Sequence, residues 1–177
     1  MNRAYIDQAK RVVRSFQRIP KPGYSDSTPD EVWDAYYHFL QDAYHLKDWI
    51  IYDESIKIGR KEVNDFIEGN VNMKLLQAVV TSMKHLKADH KHIVFKEIDL
   101  TWDDGSPKPS PEITYDDLVF DVDDKGNFLL EDDGDTMKVE VATKTMHPRK
   151  LAIKVLVAWN QFFKAHDLEG GFEIMNV

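Results

Sequence analysis

The sequence predicts an α+β protein: a bundle of about five helices into which an antiparallel β meander is inserted. Three observations predict it. Apolar residues recur at helical spacing in the first half and again at the end of the chain. Between Lys91 and Thr143 that spacing gives way to β-branched and aromatic runs separated by Asp/Gly turns. The charge shifts at the same place. Asp99 to Asp135 holds 13 acids and two lysines, a net charge of −11, whereas the whole chain carries −8. The remainder is therefore mildly basic, at +3.

The first helix is expected over Asn2–Arg18, with Ile6, Ala9, Val12, Val13 and Phe16 as its buried stripe. Ile19-Pro-Lys-Pro-Gly23 stops it. The second starts by rule: Thr28 caps, Pro29 fits the first helical position and Glu31 completes a capping box. It runs to about Ile51 and is apolar on two sides. Val32, Phe39, Ala43, Leu46 and Ile50 form one side, and Trp33, Leu40, Tyr44 and Ile51 the other. Such a helix is either central in a bundle or at a subunit interface.

A short helix follows over 60–67, closed by Gly69. Asn70 or Asn72 caps a longer one to about Ala88, with Leu76, Val79, Val80, Met83 and Leu86 inward. Its side bearing Ala78, Thr81 and Ser82 is small enough for another helix to approach. Strands are expected over Ile93–Trp102, Ile113–Val122, Phe128–Glu131 and Thr136–Thr143. His147-Pro148 opens the last helix, with Leu151, Val155, Ala158, Trp159 and Phe162 inward. The chain thus reads as one domain over 1–177, with a helical core of 1–90 and 147–177 and an acidic β insertion over 93–143. The helices bury their own stripes, so the core is expected to fold without the insertion.

Composition bounds the function. The chain is 42% apolar and 31% charged, with no cysteine, which excludes disulfides, thiolate catalysis and cysteine-ligated zinc. It has no apolar run long enough for a membrane span and no apolar signal segment at its start, so a cytoplasmic protein without a membrane partner is expected. No phosphate loop, Walker pattern or nucleophile signature occurs, and no cofactor is expected. Asp121-Val-Asp-Asp-Lys-Gly126 has Lys where a calcium loop needs its third ligand, and reads as a hairpin turn.

The candidate site is the strip of His38, Asp42, His45 and Trp49, which lies between the two apolar sides of the second helix. With about 100° per residue, these four fall within about 60° of one another. Three readings compete. In the favoured one, Asp42 accepts hydrogen bonds from the imidazoles in a buried polar network. In the second, the strip is a catalytic or nucleic-acid-contacting site. In the third it binds metal, with Asp42-Ala-Tyr-His45 echoing the Glu-x-x-His pattern of di-metal bundles. No second such pair exists here, so no metal is assigned. Lys84-His85 supplies a cation and a titratable ring at the end of the fourth helix. His90 and His92 are weaker metal candidates.

The stretch His-Phe-Leu-Gln-Asp-Ala-Tyr-His-Leu-Lys-Asp-Trp-Ile, 38–50, resembles a helix of small uncharacterised proteins of bacteria and their phages. In those proteins a Lys-His helix, a β segment and a Trp-rich last helix follow, matched here by Lys84-His85 and by Ala158-Trp159 with Phe162-Phe163. The helical arrangement also resembles the HEPN class of bundles, many of which are dimeric ribonucleases of conflict systems. The resemblance implies a homodimer that interacts or regulates in a bacterial or phage defence setting. A metal-independent ribonuclease is the alternative, with His45 or His85 as acid or base and Lys84 on phosphate, and RNA as partner. The Arg–His pair of that class's ribonucleases has no counterpart at its spacing here, and Thr81 stands where the similar proteins carry Asn. A further alternative is an acidic mimic, in which Asp99 to Asp135 enters a basic groove of a protein partner.

Overall fold

The structure, a computed structural model, describes residues 4–20, 27–84, 93–101, 107–120 and 139–172. Within them the chain forms a mainly helical bundle, α1 (Ala4–Arg18), α2 (Pro29–Ile51), α3 (Arg60–Gly69), α4 (Val71–Lys84) and α5 (Pro148–Ala165). Three strands, β1 (Ile93–Thr101), β2 (Pro107–Phe120) and β3 (Val139–Met146), lie between α4 and α5.

Each helix start has a local cause. The Thr28 hydroxyl accepts from the Glu31 N–H at 3.3 Å, and the Glu31 carboxylate accepts from the Thr28 N–H at 2.8 Å. That is the capping box expected, and it satisfies two N–H groups the helix cannot pair itself. Asn70, not Asn72, caps α4: its side-chain oxygen accepts from the N–H groups of Asn72 (3.0 Å) and Met73 (3.2 Å). The α5 cap is His147, whose Nδ1 accepts from the Arg149 N–H at 3.1 Å.

Helix α2 is central. It packs on α1, α3, α4 and α5, and on β2. Phe39, Leu40, Ala43, Leu46 and Ile50 are all fully buried. The α5 stripe is as expected, with Leu151, Val155, Ala158, Trp159 and Phe162 inside. Trp159 contacts Phe66 and Phe162 at centroid distances of 5.2 and 5.7 Å, and its indole N–H donates to the Ala43 carbonyl at 3.0 Å. Leu76, Val79 and Val80 point inward on α4. Leu86 and the side chains of Ser82 and Met83 lie outside the described residues.

The buried side of α1 differs from expectation. Tyr5, Gln8, Val12, Ser15 and Ile19 are buried, while Ile6, Val13 and Phe16 are only partly covered. The helix is turned so that two polar residues face inward. The reason is on α2, where Asp42 accepts from both.

The strands form one antiparallel sheet in the order β1-β2-β3. Strand β2 begins at Pro107, earlier than the expected Ile113, and β3 covers Val139–Met146, later than the expected Thr136–Thr143. Pro107, Pro109 and Pro111 alternate, so their missing N–H groups fall on one edge of β2. Strand β3 pairs with β2 only from Ile113 onward, opposite Met146. The prolines therefore cost the β3 pairing nothing. The expected strand Phe128–Glu131 lies outside the described residues. Ile113 is fully buried in the helical core, and Met146 nearly so. Strand β2 thus contributes a residue to the core that the helices build.

Candidate functional site

Helix α1 runs along the polar strip of α2, and Asp42 is the residue that joins them. The Ser15 hydroxyl donates to the Asp42 carboxylate. The Gln8 side-chain amide donates to the Asp42 backbone carbonyl at 2.8 Å. Burying a polar side chain is costly unless it is hydrogen-bonded, so these acceptors explain why α1 turns Gln8 and Ser15 inward. The Gln8 Oε1 is buried and has no partner among the described residues.

The network expected around Asp42 therefore has different members. Neither imidazole bonds to Asp42. His45 is exposed, and its Nδ1 lies 3.4 Å from the Asp48 carboxylate one helical turn on. His38 is also exposed. It lines an open cavity of about 330 Å³ with Ser15, Arg18, Glu31 and Asp34. Trp49 keeps 41% of its surface exposed and Tyr52, just past the end of α2, keeps 70%. With Ala4 and Asp48 they line a second cavity of about 310 Å³. Arg60 stands beside Tyr52, donating to its hydroxyl at 2.7 Å. The strip is thus a surface feature: Asp42 is tied to α1, and His38, His45 and Trp49 face out.

The Lys84 backbone closes α4, while its side chain and all of His85, His90 and His92 lie outside the described residues. Among the described residues no group of three or more His, Asp or Glu side chains could hold a metal ion.

Two groups escaped the sequence reading. Asp53, in the loop after α2, is buried and accepts from the Tyr5 N–H at 3.1 Å, the Ser55 N–H at 2.9 Å and the Ser55 hydroxyl at 2.5 Å. Burial pushes its carboxyl up, but the hydrogen bonds from Ser55, Tyr5 and Ala4 outweigh burial and hold it below its ordinary value. No sequence signal links Asp53 to Tyr5, 48 residues away. The second is His147, whose ring meets the buried Tyr36 edge to face at 6.0 Å. Burial, then the Arg149 charge, hold His147 below its ordinary value. This agrees with Nδ1 acting as an acceptor in a neutral ring. Burial pushes the Tyr36 hydroxyl up to about 12 against a smaller opposing effect of Arg149, so it stays protonated.

Asp42→Ala removes the acceptor of a buried Ser15, and an unpaired buried polar group costs about 1–3 kcal/mol. We expect the lower end, because the Ser15 hydroxyl can rotate toward its own helix backbone. His45 bonds elsewhere, so adding His45→Leu should recover nothing. Urea denaturation of the single and double variants measures this. Recovery in the double variant would mean that His45 depends on Asp42 after all.

A scan against protein-family models finds no match, and neither do searches of curated proteins and of solved structures.

Proposed function

We propose that this chain is an interaction or regulatory protein, a helical bundle of HEPN-like type that works as a homodimer in a bacterial or phage conflict setting. The β segment is, in this reading, an acidic meander inserted between α4 and α5. The observation that supports the reading is the aromatic surface at the end of α2. Trp49 and Tyr52 stay open to solvent around one cavity beside α1. Large aromatic side chains exposed in this way are typical anchors of protein–protein contacts.

A second reading is metal-independent RNA cleavage. The solvent-facing His45–Asp48 pair favours it, since a carboxylate can orient an imidazole for proton transfer. Lys84 and His85 would then supply phosphate contact and the partner acid or base. An acidic mimic that places Asp99 to Asp135 in a basic groove is a third.

Light scattering at micromolar concentration should give a mass near twice 20.6 kDa. The double variant Trp49→Ala/Tyr52→Ala should keep its helical circular dichroism and lose the association, with a modest fall in melting temperature because Trp49 is 41% and Tyr52 70% exposed. Transfer and messenger RNA incubated with the protein, with and without divalent metal, should stay intact. RNA cut by the wild type and spared by His45→Ala would replace the interaction reading with the enzyme. A monomer at every concentration would remove the homodimer.

A further inference from the structure

Helix α1 carries a stripe of cations that its own fold leaves open. Lys10, Arg11, Arg14 and Arg18 are all exposed. At about 100° per residue they fall within an arc of about 100°, and at about 1.5 Å per residue they extend over about 12 Å. Asp7 is the one acid of α1 on that arc. None of the four cations pairs with a described acid. A concentrated positive stripe is unusual on a chain of net charge −8.

The chain also holds its complement. Asp99 to Asp135 has a net charge of −11. The geometry points to the α1 stripe as a docking surface for this acidic segment of a second copy. The described part of that segment, in β1 and β2, lies on another flank of its own molecule. Strands β1 and β2 pack against α2, α4 and α5. Strand β3 leads directly into α5, whose Arg149 lies 5.4 Å over the Phe16 ring. Phe16 falls about 180° round α1 from the centre of the cation arc. The cations therefore face away from the sheet of the same chain. Arg18 also lines the cavity containing His38, and Ala4 lines the one containing Trp49 and Tyr52. The stripe thus lies on the same helix as the residue that lines the aromatic cavity, and its last cation lines the His38 cavity. This inference rests on the homodimer reading and names what holds the dimer in register.

The test is light scattering of the full chain at about 0.01 M and about 1 M salt, where the screening length falls from about 30 Å to about 3 Å. The wild type should be near twice 20.6 kDa at low salt and near 20.6 kDa at high salt. Arg11→Glu/Arg14→Glu should be monomeric at low salt with unchanged circular dichroism, as should Asp123→Lys/Asp124→Lys. An equimolar mixture of the two variants should regain the dimer, because each then offers the other an opposite charge at both contacts. A dimer that survives high salt and the Arg variant, but not Trp49→Ala/Tyr52→Ala, refutes the charged contact and leaves the homodimer standing. A monomer in every condition overturns both. A low-salt monomer whose melting temperature falls in the Arg variant means that the acidic segment covers α1 in its own chain. Nucleic acid that copurifies with the wild type and is lost from the Arg variant means that the stripe binds a different polyanion.

Discussion

Trp159→Ala should be the most damaging single change in the chain, destabilising it by about 3–5 kcal/mol. The indole is fully buried, touches the side chain of Phe66 on α3 and of Phe163 on its own helix, and reaches the backbone of α2. Phe163 in turn reaches Tyr5 of α1 at 5.9 Å. Truncation removes the transfer energy of a large aromatic surface and leaves a cavity that rigid helices close only in part. It also removes the donor to the Ala43 carbonyl on α2. For a domain of this length each kcal/mol lowers the melting temperature by about 2–4 °C, so a fall of about 6–20 °C is expected. Trp159→Phe separates the two contributions. It keeps most of the ring surface and loses the N–H, so a loss of about 1–2 kcal/mol is expected. If alanine and phenylalanine cost the same, the hydrogen bond dominates and the packing argument fails.

The parts of this fold that were legible in the sequence are those fixed by near neighbours. The Thr28–Glu31 box is a three-residue relation, and it placed the start of α2 at the correct residue. The α5 stripe is purely apolar, so its period alone gave the buried face. Helix α1 shows where that logic ends. Hydrophobic periodicity gave Ile6, Ala9, Val12, Val13 and Phe16 as its buried face; Ala9 and Val12 are buried, yet Gln8 and Ser15 are more deeply buried than Ile6, Val13 and Phe16. Their burial is acceptable only because Asp42 offers one acceptor to each, and Asp42 lies 34 and 27 residues away. Strand β2 failed for a related reason. Three prolines argue against a strand unless one edge is unpaired, and whether β3 reaches that edge is a matter of register.

The candidate site was legible as a strip and illegible as a set of bonds. Residues at i and i+4 share a helix face, so His38, Asp42, His45 and Trp49 had to lie together. Helical geometry does not say which of them a neighbouring helix will cover. Helix α1 covers Asp42 and leaves both histidines out, and His45 turns to Asp48 instead. Asp42 is the residue of the strip that is tied to another helix. Its partner is the next helix and not its own neighbours.

Asp53→Ala should give the second-largest loss, about 1–2 kcal/mol, and one that depends on pH. The first four N–H groups of α1 have no partner within the helix, and the positive end of its dipole sits there. Asp53 reaches across from the loop after α2 and accepts from the Tyr5 N–H, while its other oxygen holds the Ser55 turn. It thus acts as a cap supplied from a distance and fastens the start of α1 to the end of α2. Asp53→Asn should lose nearly as much, because it removes the charge and presents an amide donor to backbone donors. In the folded chain the Asp53 carboxyl titrates below its ordinary value of 3.8. Between the two values the unfolded chain binds more protons, so stability rises with pH there. The Asp53 contribution is complete above pH 3.8 and is lost as pH falls through the depressed folded value. Denaturation midpoints of wild type and Asp53→Ala should therefore lie far apart near neutral pH and converge in acid. Curves that stay parallel down to the acid transition would show that the charged carboxylate contributes nothing, either as the cap of α1 or through the Ser55 turn.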